Sequence, residues 1–77
     1  MIIISSKCSY FRDLDFHLAR IIYLKWINSD ADLRSVCTYY ELLENITIDI
    51  INDQFDLQFN LTESQYLLLQ IKYSGTS

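Results

Sequence analysis

The side chains with the most reactive chemistry in this chain are one histidine, His17, and two cysteines, Cys8 and Cys37. A cysteine and a histidine can form a thiolate–imidazole pair when the fold brings them together. Their spacing indicates no such pair, and it lacks the closely spaced ligands of a zinc site. We therefore predict no enzymatic activity, no metal and no cofactor. His17 is interpreted as a surface residue and Cys37 as a small buried hydrophobe.

Length and composition narrow the class of protein. The 77 residues suffice for one core, so we treat residues 1–77 as a single small domain. Hydrophobic residues make up 51% of the chain, which argues against disorder, and the single glycine excludes Gly-rich phosphate loops. The apolar run at residues 1–4 is too short for a signal-peptide core. No stretch could span a bilayer, so we expect a cytoplasmic protein without membrane contact.

Charge is distributed unevenly along the sequence. Residues 1–29 carry four basic and two acidic side chains (4 − 2 = +2), whereas residues 30–77 carry two and eight (2 − 8 = −6), giving the net −4. This balance disfavours a general nucleic-acid binder. The acidic stretch could dock on a basic protein site by imitating phosphates, or it could only keep an apolar protein soluble. The candidate docking carboxylates are Glu41, Glu44, Asp49, Asp53 and Asp56.

Helical spacing of apolar residues predicts a first helix over about residues 9–28. Asp15 falls within its apolar stripe, so either the helix begins after Asp15 or its carboxylate finds a hydrogen-bond partner. A second ridge on the other side comprises Phe16, Tyr23 and Ile27. Because one small core cannot easily bury both faces, we expect this ridge to contact a partner. The main stripe consists of Phe11, Leu14, Leu18, Ile21, Ile22 and Trp26.

A second helix is expected to follow, with Ser29 as its N-cap and Asn45 as its terminator. Tyr39 and Leu42 lie outside its apolar stripe and are expected to be exposed. Tyr39 is a further candidate contact, because tyrosine buries a large area at low entropic cost. The stripe consists of Leu33, Val36, Cys37, Tyr40 and Leu43.

The period of the sequence changes after the second helix. A β-branched run at residues 46–51 and strict alternation at residues 55–61 predict a β-hairpin over about 46–61. A short strand at residues 2–5 is a further possibility. Thr62 and Gln65 form a capping-box pattern that favours a helix over residues 63–73, although alternating apolar residues there would also fit a third strand. As a helix this segment is apolar almost all round, so we expect it to lie between the core and something else.

The predicted fold is therefore α+β, with two helices, a hairpin and a C-terminal helix. Two helices followed by a hairpin loosely resemble the element order of a winged-helix domain over residues 9–61, without a shared motif. The would-be recognition helix carries Asp32, Glu41 and Glu44 against a lone Arg34, which makes groove reading by this helix improbable. The resemblance therefore implies protein contact rather than DNA contact.

Three hypotheses for function follow. We favour a small acidic protein-binding inhibitor, of the anti-defence, antitoxin or immunity type of a phage or bacterium, that blocks a basic and potentially nucleic-acid-binding site. The second is a dimeric DNA-binding regulator. The third is a small chaperone or structural subunit whose apolar ridge covers a partner helix. A homodimer would also explain the surplus of apolar residues. The DNA-binding hypothesis relies on Lys7, Arg12, Arg20 and Lys25.

Overall fold

The computed structural model describes residues 1–8, 15–51 and 56–74. The predicted α+β class is confirmed, as are the hairpin, the short N-terminal strand and the C-terminal helix, and the third-strand alternative for residues 63–73 is wrong. The elements are β1 (Ile2–Ser6), α1 (His17–Ile27), α2 (Leu33–Glu44), β2 (Thr47–Ile51), β3 (Asp56–Leu61) and α3 (Glu63–Tyr73).

The three strands form one antiparallel sheet in the order β1-β3-β2. β3 is central, and its Phe59 pairs with Ile4 of β1 and with Ile48 of β2. The apolar residues of the alternating sequence lie on one face of β3. Leu57, Phe59 and Leu61 are all buried on the side that the helices cover. The connection between the two strands of the predicted hairpin, residues 52–55, lies outside the described residues.

Helix α1 begins at His17 rather than at residue 9, because Asp15 and Phe16 precede it in non-helical conformation. Phe16 makes no side-chain capping bond. Gln70 of α3 takes that role: its Oε1 accepts from the His17 backbone N–H at 2.8 Å, and its Nε2 donates to the Asp15 carbonyl at 2.7 Å. The start of α1 is thus fixed by a distant part of the chain, and the predicted residues 9–14 lie outside the described ranges.

The expected exposure of the ridge on α1 is wrong for two of its three members. Phe16 and Tyr23 are buried, and Ile27 alone is exposed. The Phe16 ring packs edge-on against Phe59, with ring centroids 4.9 Å apart, and the Tyr23 hydroxyl donates to the Ser6 carbonyl at 2.9 Å. One core buries both sides of α1 because this helix contacts α2 and α3.

Helix α2 begins one turn later than predicted. Asp32 is its N-cap, with Oδ1 accepting from the Ser35 N–H at 2.9 Å. Ser29 does not cap α2, because its own N–H still bonds back to the Trp26 carbonyl at the end of α1. Asn45 ends α2 in the left-handed region at φ 54°, as predicted.

Helix α3 is opened by the predicted capping box, in which Thr62 and Gln65 bond each other's backbone N–H groups. The Gln65 Nε2 also donates to the Asn45 carbonyl at 3.1 Å. The Gln65 side chain therefore connects the end of α2 at Asn45 to the beginning of α3 at Thr62.

Candidate functional site

Three of the five predicted docking carboxylates form hydrogen bonds or an ion pair within the protein. The Glu41 Oε2 accepts from the Ile48 N–H at 3.1 Å. The Glu44 side chain is only 6% exposed and forms an ion pair with Lys72. Asp56 is buried, and its Oδ1 accepts from the Cys8 N–H at 3.3 Å. These carboxylates are therefore occupied in connecting elements of the fold.

The two remaining candidates are Asp49 and Asp53. Asp49 is exposed on β2, where its Oδ2 accepts from the Asn60 Nδ2 at 3.3 Å. Asp53 lies outside the described residues. Of the four candidates that the structure describes, Asp49 is the fully exposed one and Glu41 is half-buried.

Exposed charges are balanced over the part of the chain that the structure describes. Five carboxylates and five basic side chains belong to exposed residues there, although the whole chain carries a net charge of −4. A partner would thus touch a more neutral surface than the sequence suggests. Use of the basic residues for DNA stays a prediction, and Arg12 lies outside the described residues. The exposed residues are Asp15, Asp30, Asp32, Asp49 and Glu63, with Lys7, Arg20, Lys25, Arg34 and Lys72.

The outward face of α3 is apolar. Leu67, Leu68 and Ile71 are 54%, 67% and 73% exposed, whereas Leu69 packs into the core. At 100° per residue, Leu67 and Ile71 lie about 160° from Leu69 and Leu68 lies about 100° from it, so all three point away from the direction of Leu69. The sequence shows the signal for this face, an apolar pattern on all sides of α3, but sequence reasoning did not select these residues as candidates.

Helix α2 adds a second exposed apolar group. Leu42 is 81% exposed, and Tyr39 is also more than half exposed, as predicted for both. Leu43 was expected in the buried stripe, but it is more than half exposed because it lies at the edge of that stripe. We call these side chains together the α2–α3 apolar surface, which consists of Tyr39, Leu42, Leu43, Leu67, Leu68 and Ile71.

The ion pair of Glu44 and Lys72 joins the two halves of this surface. Leu68 lies one turn before Lys72 on the same side of α3 and so neighbours the ion pair, and Leu43 directly precedes Glu44 in the sequence of α2. Tyr73 packs beside it, and burial together with the Glu44 carboxylate raises the pKa of Tyr73 to about 12. The two charges of this ion pair are therefore already neutralised by each other.

A groove lies beside the surface, between the end of α1 and the beginning of α2. Its volume is about 420 Å³, and its lining includes Lys25, Ser35, Tyr39 and Tyr40. The rings of Tyr39 and Tyr40 pack edge-on, with centroids 5.1 Å apart. Tyr39 thus forms a wall of the groove and part of the α2–α3 apolar surface, so a partner on α2 could place a side chain in the groove.

The thiols are poorly suited to nucleophilic chemistry at neutral pH. Cys37 is fully buried, as predicted, and burial raises its pKa to about 11. Burial, with a smaller effect of Asp56, also raises the pKa of Cys8. His17 is half-buried rather than fully exposed. Among the described residues no group of three or more potential ligands is placed to hold a metal ion, and no helix is long and apolar enough to cross a membrane.

Comparison with protein-family models, with curated proteins and with solved structures finds no match to this chain. The resemblance to winged-helix domains therefore rests on element order alone. Among the described residues, six of the nine exposed large hydrophobic side chains belong to the α2–α3 apolar surface, and a group of this kind is typical of an interaction site.

Proposed function

We propose that this protein acts by binding another protein through the α2–α3 apolar surface. The observation that carries the proposal is the outward face of α3, where Leu67, Leu68 and Ile71 each expose more than half of their area. Single exposed apolar residues are common on protein surfaces, but a contiguous group of them is typical of an interaction site. Covering this face would remove apolar area from water, which is the main driving force of association.

The charges around this surface support contact with an apolar partner face. Glu44 and Lys72 already neutralise each other between the two halves. A partner would therefore not need to supply a compensating charge there, and binding should depend only weakly on ionic strength. This differs from the expected acidic docking, which would weaken steeply with salt.

A second candidate is the acidic antagonist that blocks a basic site. The net charge of −4 and the exposed Asp49 on β2 favour it, since long-range attraction does not require an assembled patch. The internal bonds of Glu41, Glu44 and Asp56 count against it. The two candidates predict different residues and different salt dependence, so one experiment separates them.

The experiment uses tagged protein to capture partners from a lysate of the source cell at low and moderate salt. The variants are Leu68→Glu on the surface, Asp49→Asn on β2, and Ile3→Glu as a matched control at an exposed apolar residue of β1. We expect a stoichiometric partner that resists moderate salt, is kept by Asp49→Asn and Ile3→Glu, and is lost with Leu68→Glu. Circular dichroism verifies that each variant is folded.

Loss of the partner with Asp49→Asn or with moderate salt, but not with Leu68→Glu, would replace this proposal by the acidic antagonist. A partner that no variant affects would contradict both candidates, because neither surface would then be the contact.

A further inference from the structure

We propose that a second copy of this chain occupies the α2–α3 apolar surface, with α3 packed antiparallel on α3 of the other copy about a two-fold axis. The inference rests on the proposed function, since it names the partner for the same surface. Closed two-fold dimers are the commonest oligomers of soluble proteins, and they require a surface that is complementary to itself.

The spacing of side chains on α3 provides that self-complementarity. When the two-fold axis passes between Leu67 and Leu68, each of these leucines faces its own counterpart in the other copy. Ile71 then falls opposite Ser64, which is exposed and small, so each isoleucine has space above the serine of the other copy. The same contact forms twice, as an isologous interface requires.

The charges at the two ends of α3 select the antiparallel orientation. Glu63 lies in the first turn and Lys72 in the last. Antiparallel packing opposes the dipoles of the two helices and keeps their like-charged ends apart, while Lys72 stays paired with Glu44 of its own copy. Parallel packing would instead bring Glu63 to Glu63 and Lys72 to Lys72, which is unfavourable.

The area is sufficient only when both helices take part. A two-fold axis perpendicular to α3 keeps α2 on the same side of the interface in both copies, so α2 faces α2. Six side chains burying on the order of 100 Å² each would give about 600 Å² per copy and about 1,200 Å² in total, the lower limit of standard interfaces. We therefore expect a concentration-dependent dimer rather than an obligate one.

Sedimentation velocity over about 1–300 µM tests the dimer, a range that covers micromolar to submillimolar dissociation constants. We expect the wild type to shift from the 9.2 kDa monomer to twice that mass. Ser64→Glu should weaken the dimer at least tenfold, because it sets a charge against Ile71 of the other copy. A carboxylate in the first turn suits the helix dipole, so the fold should be kept.

Two controls sharpen this measurement. Ser5→Glu makes the same exchange at an exposed residue of β1 and should leave the dimer unchanged. Leu68→Cys, in a Cys8→Ser background, should yield a disulfide-linked dimer under mild oxidation, because the axis places each residue 68 beside its counterpart. Ile3→Cys in the same background should not form such a dimer.

A wild type that stays monomeric at the highest concentration would overturn the inference, as would a Ser64→Glu variant that dimerises normally. A monomeric wild type that still captures a different protein, in a manner lost with Leu68→Glu, would leave the proposed function standing. Failure of both measurements would remove the proposed function as well.

Discussion

Two regions of the molecule differ in the exposure of their side chains. One is the acidic stretch around the hairpin, and the other is the C-terminal helix α3. Glu44 and Asp56 are charged but have little exposure, whereas Leu67 and Leu68 of α3 are apolar and largely exposed. Side-chain type alone therefore predicts the wrong surface for both regions. Charged side chains are thus partly enclosed in the first region, whereas apolar side chains stay exposed in the second.

The difference follows from what each region must satisfy. Backbone N–H groups at element ends need acceptors when they leave water, and Glu41 and Asp56 supply them to Ile48 and Cys8. Helix α3, in contrast, packs on a core that α1 already fills. Only one side of α3 finds room there, with Leu69 buried and Tyr66 and Tyr73 partly buried.

The largest loss of stability is expected from removing a side chain in the hydrophobic core beneath both regions. Phe59→Ala on β3 should lower the free energy of unfolding by about 3–5 kcal/mol, since the fully buried ring leaves a cavity. Urea denaturation measures this loss. Ile3→Ala, on the exposed side of the same sheet, is the control and should change stability by less than about 0.5 kcal/mol. Similar losses for both would mean that the sheet is covered on two sides.

The variants Glu44→Ala and Asp49→Ala compare an enclosed, ion-paired carboxylate with an exposed one. Glu44→Ala should cost about 1–2 kcal/mol of unfolding free energy, discounted because Lys72 remains more than half exposed and can be hydrated. Asp49→Ala should cost less than about 0.5 kcal/mol. Urea denaturation of both variants decides the matter, and a larger loss for Asp49→Ala would reverse the contrast.

The buried side of α2 should make stability fall at alkaline pH. Burial raises the pKa of Cys37 from 9.0 to about 11, so the unfolded chain releases this proton first as pH increases. Stability is therefore intact below pH 9 and decreases between pH 9 and 11, with roughly 1 kcal/mol lost from Cys37 by pH 10. Urea titrations at several pH values measure this, and Cys37→Ala should give a shallower decrease. An unchanged slope in that variant would contradict the assignment to Cys37.

The smallest effect on stability is expected on the outward face of α3. Leu67→Gln should change the free energy of unfolding by less than about 0.5 kcal/mol, because the side chain is already in water and glutamine suits a helix. Its retention on a hydrophobic-interaction column should nevertheless fall below that of the wild type. A loss above about 1 kcal/mol would show that Leu67 belongs to the core.

The parts of the fold that could be predicted are those whose sequence patterns involve residues close together in the chain. The alternation over Leu57, Phe59 and Leu61 indicates a strand with one buried face, and Thr62 with Gln65 indicates where α3 begins. The end of α2 at Asn45 is equally local. Each of these features depends on residues within about one turn or one strand, which a sequence displays directly.

The beginning of α1 and the candidate surface depend on contacts between distant residues. Apolar spacing continues before His17, whereas the acceptor for the His17 N–H at the start of the helix is Gln70, far along the chain. Counting carboxylates could not show that Lys72 pairs with Glu44 across two helices. Nor could the ridge on α1 be recognised as core, because Phe16 is buried by Phe59 and Tyr66, which lie far along the chain.

The amide of Gln70 also has a consequence for synthesis of the chain. Because Gln70 supplies the hydrogen bonds that open α1, the start of this helix lacks these two bonds until α3 has been synthesised. Strand β1 also lacks its neighbouring strand until β3, which ends at Leu61, has been synthesised. Both elements therefore lack native partners until later parts of the chain, β3 for β1 and α3 for α1, have been translated. A nascent chain that stops before α3 would present unpaired strand and helix ends to the quality-control machinery.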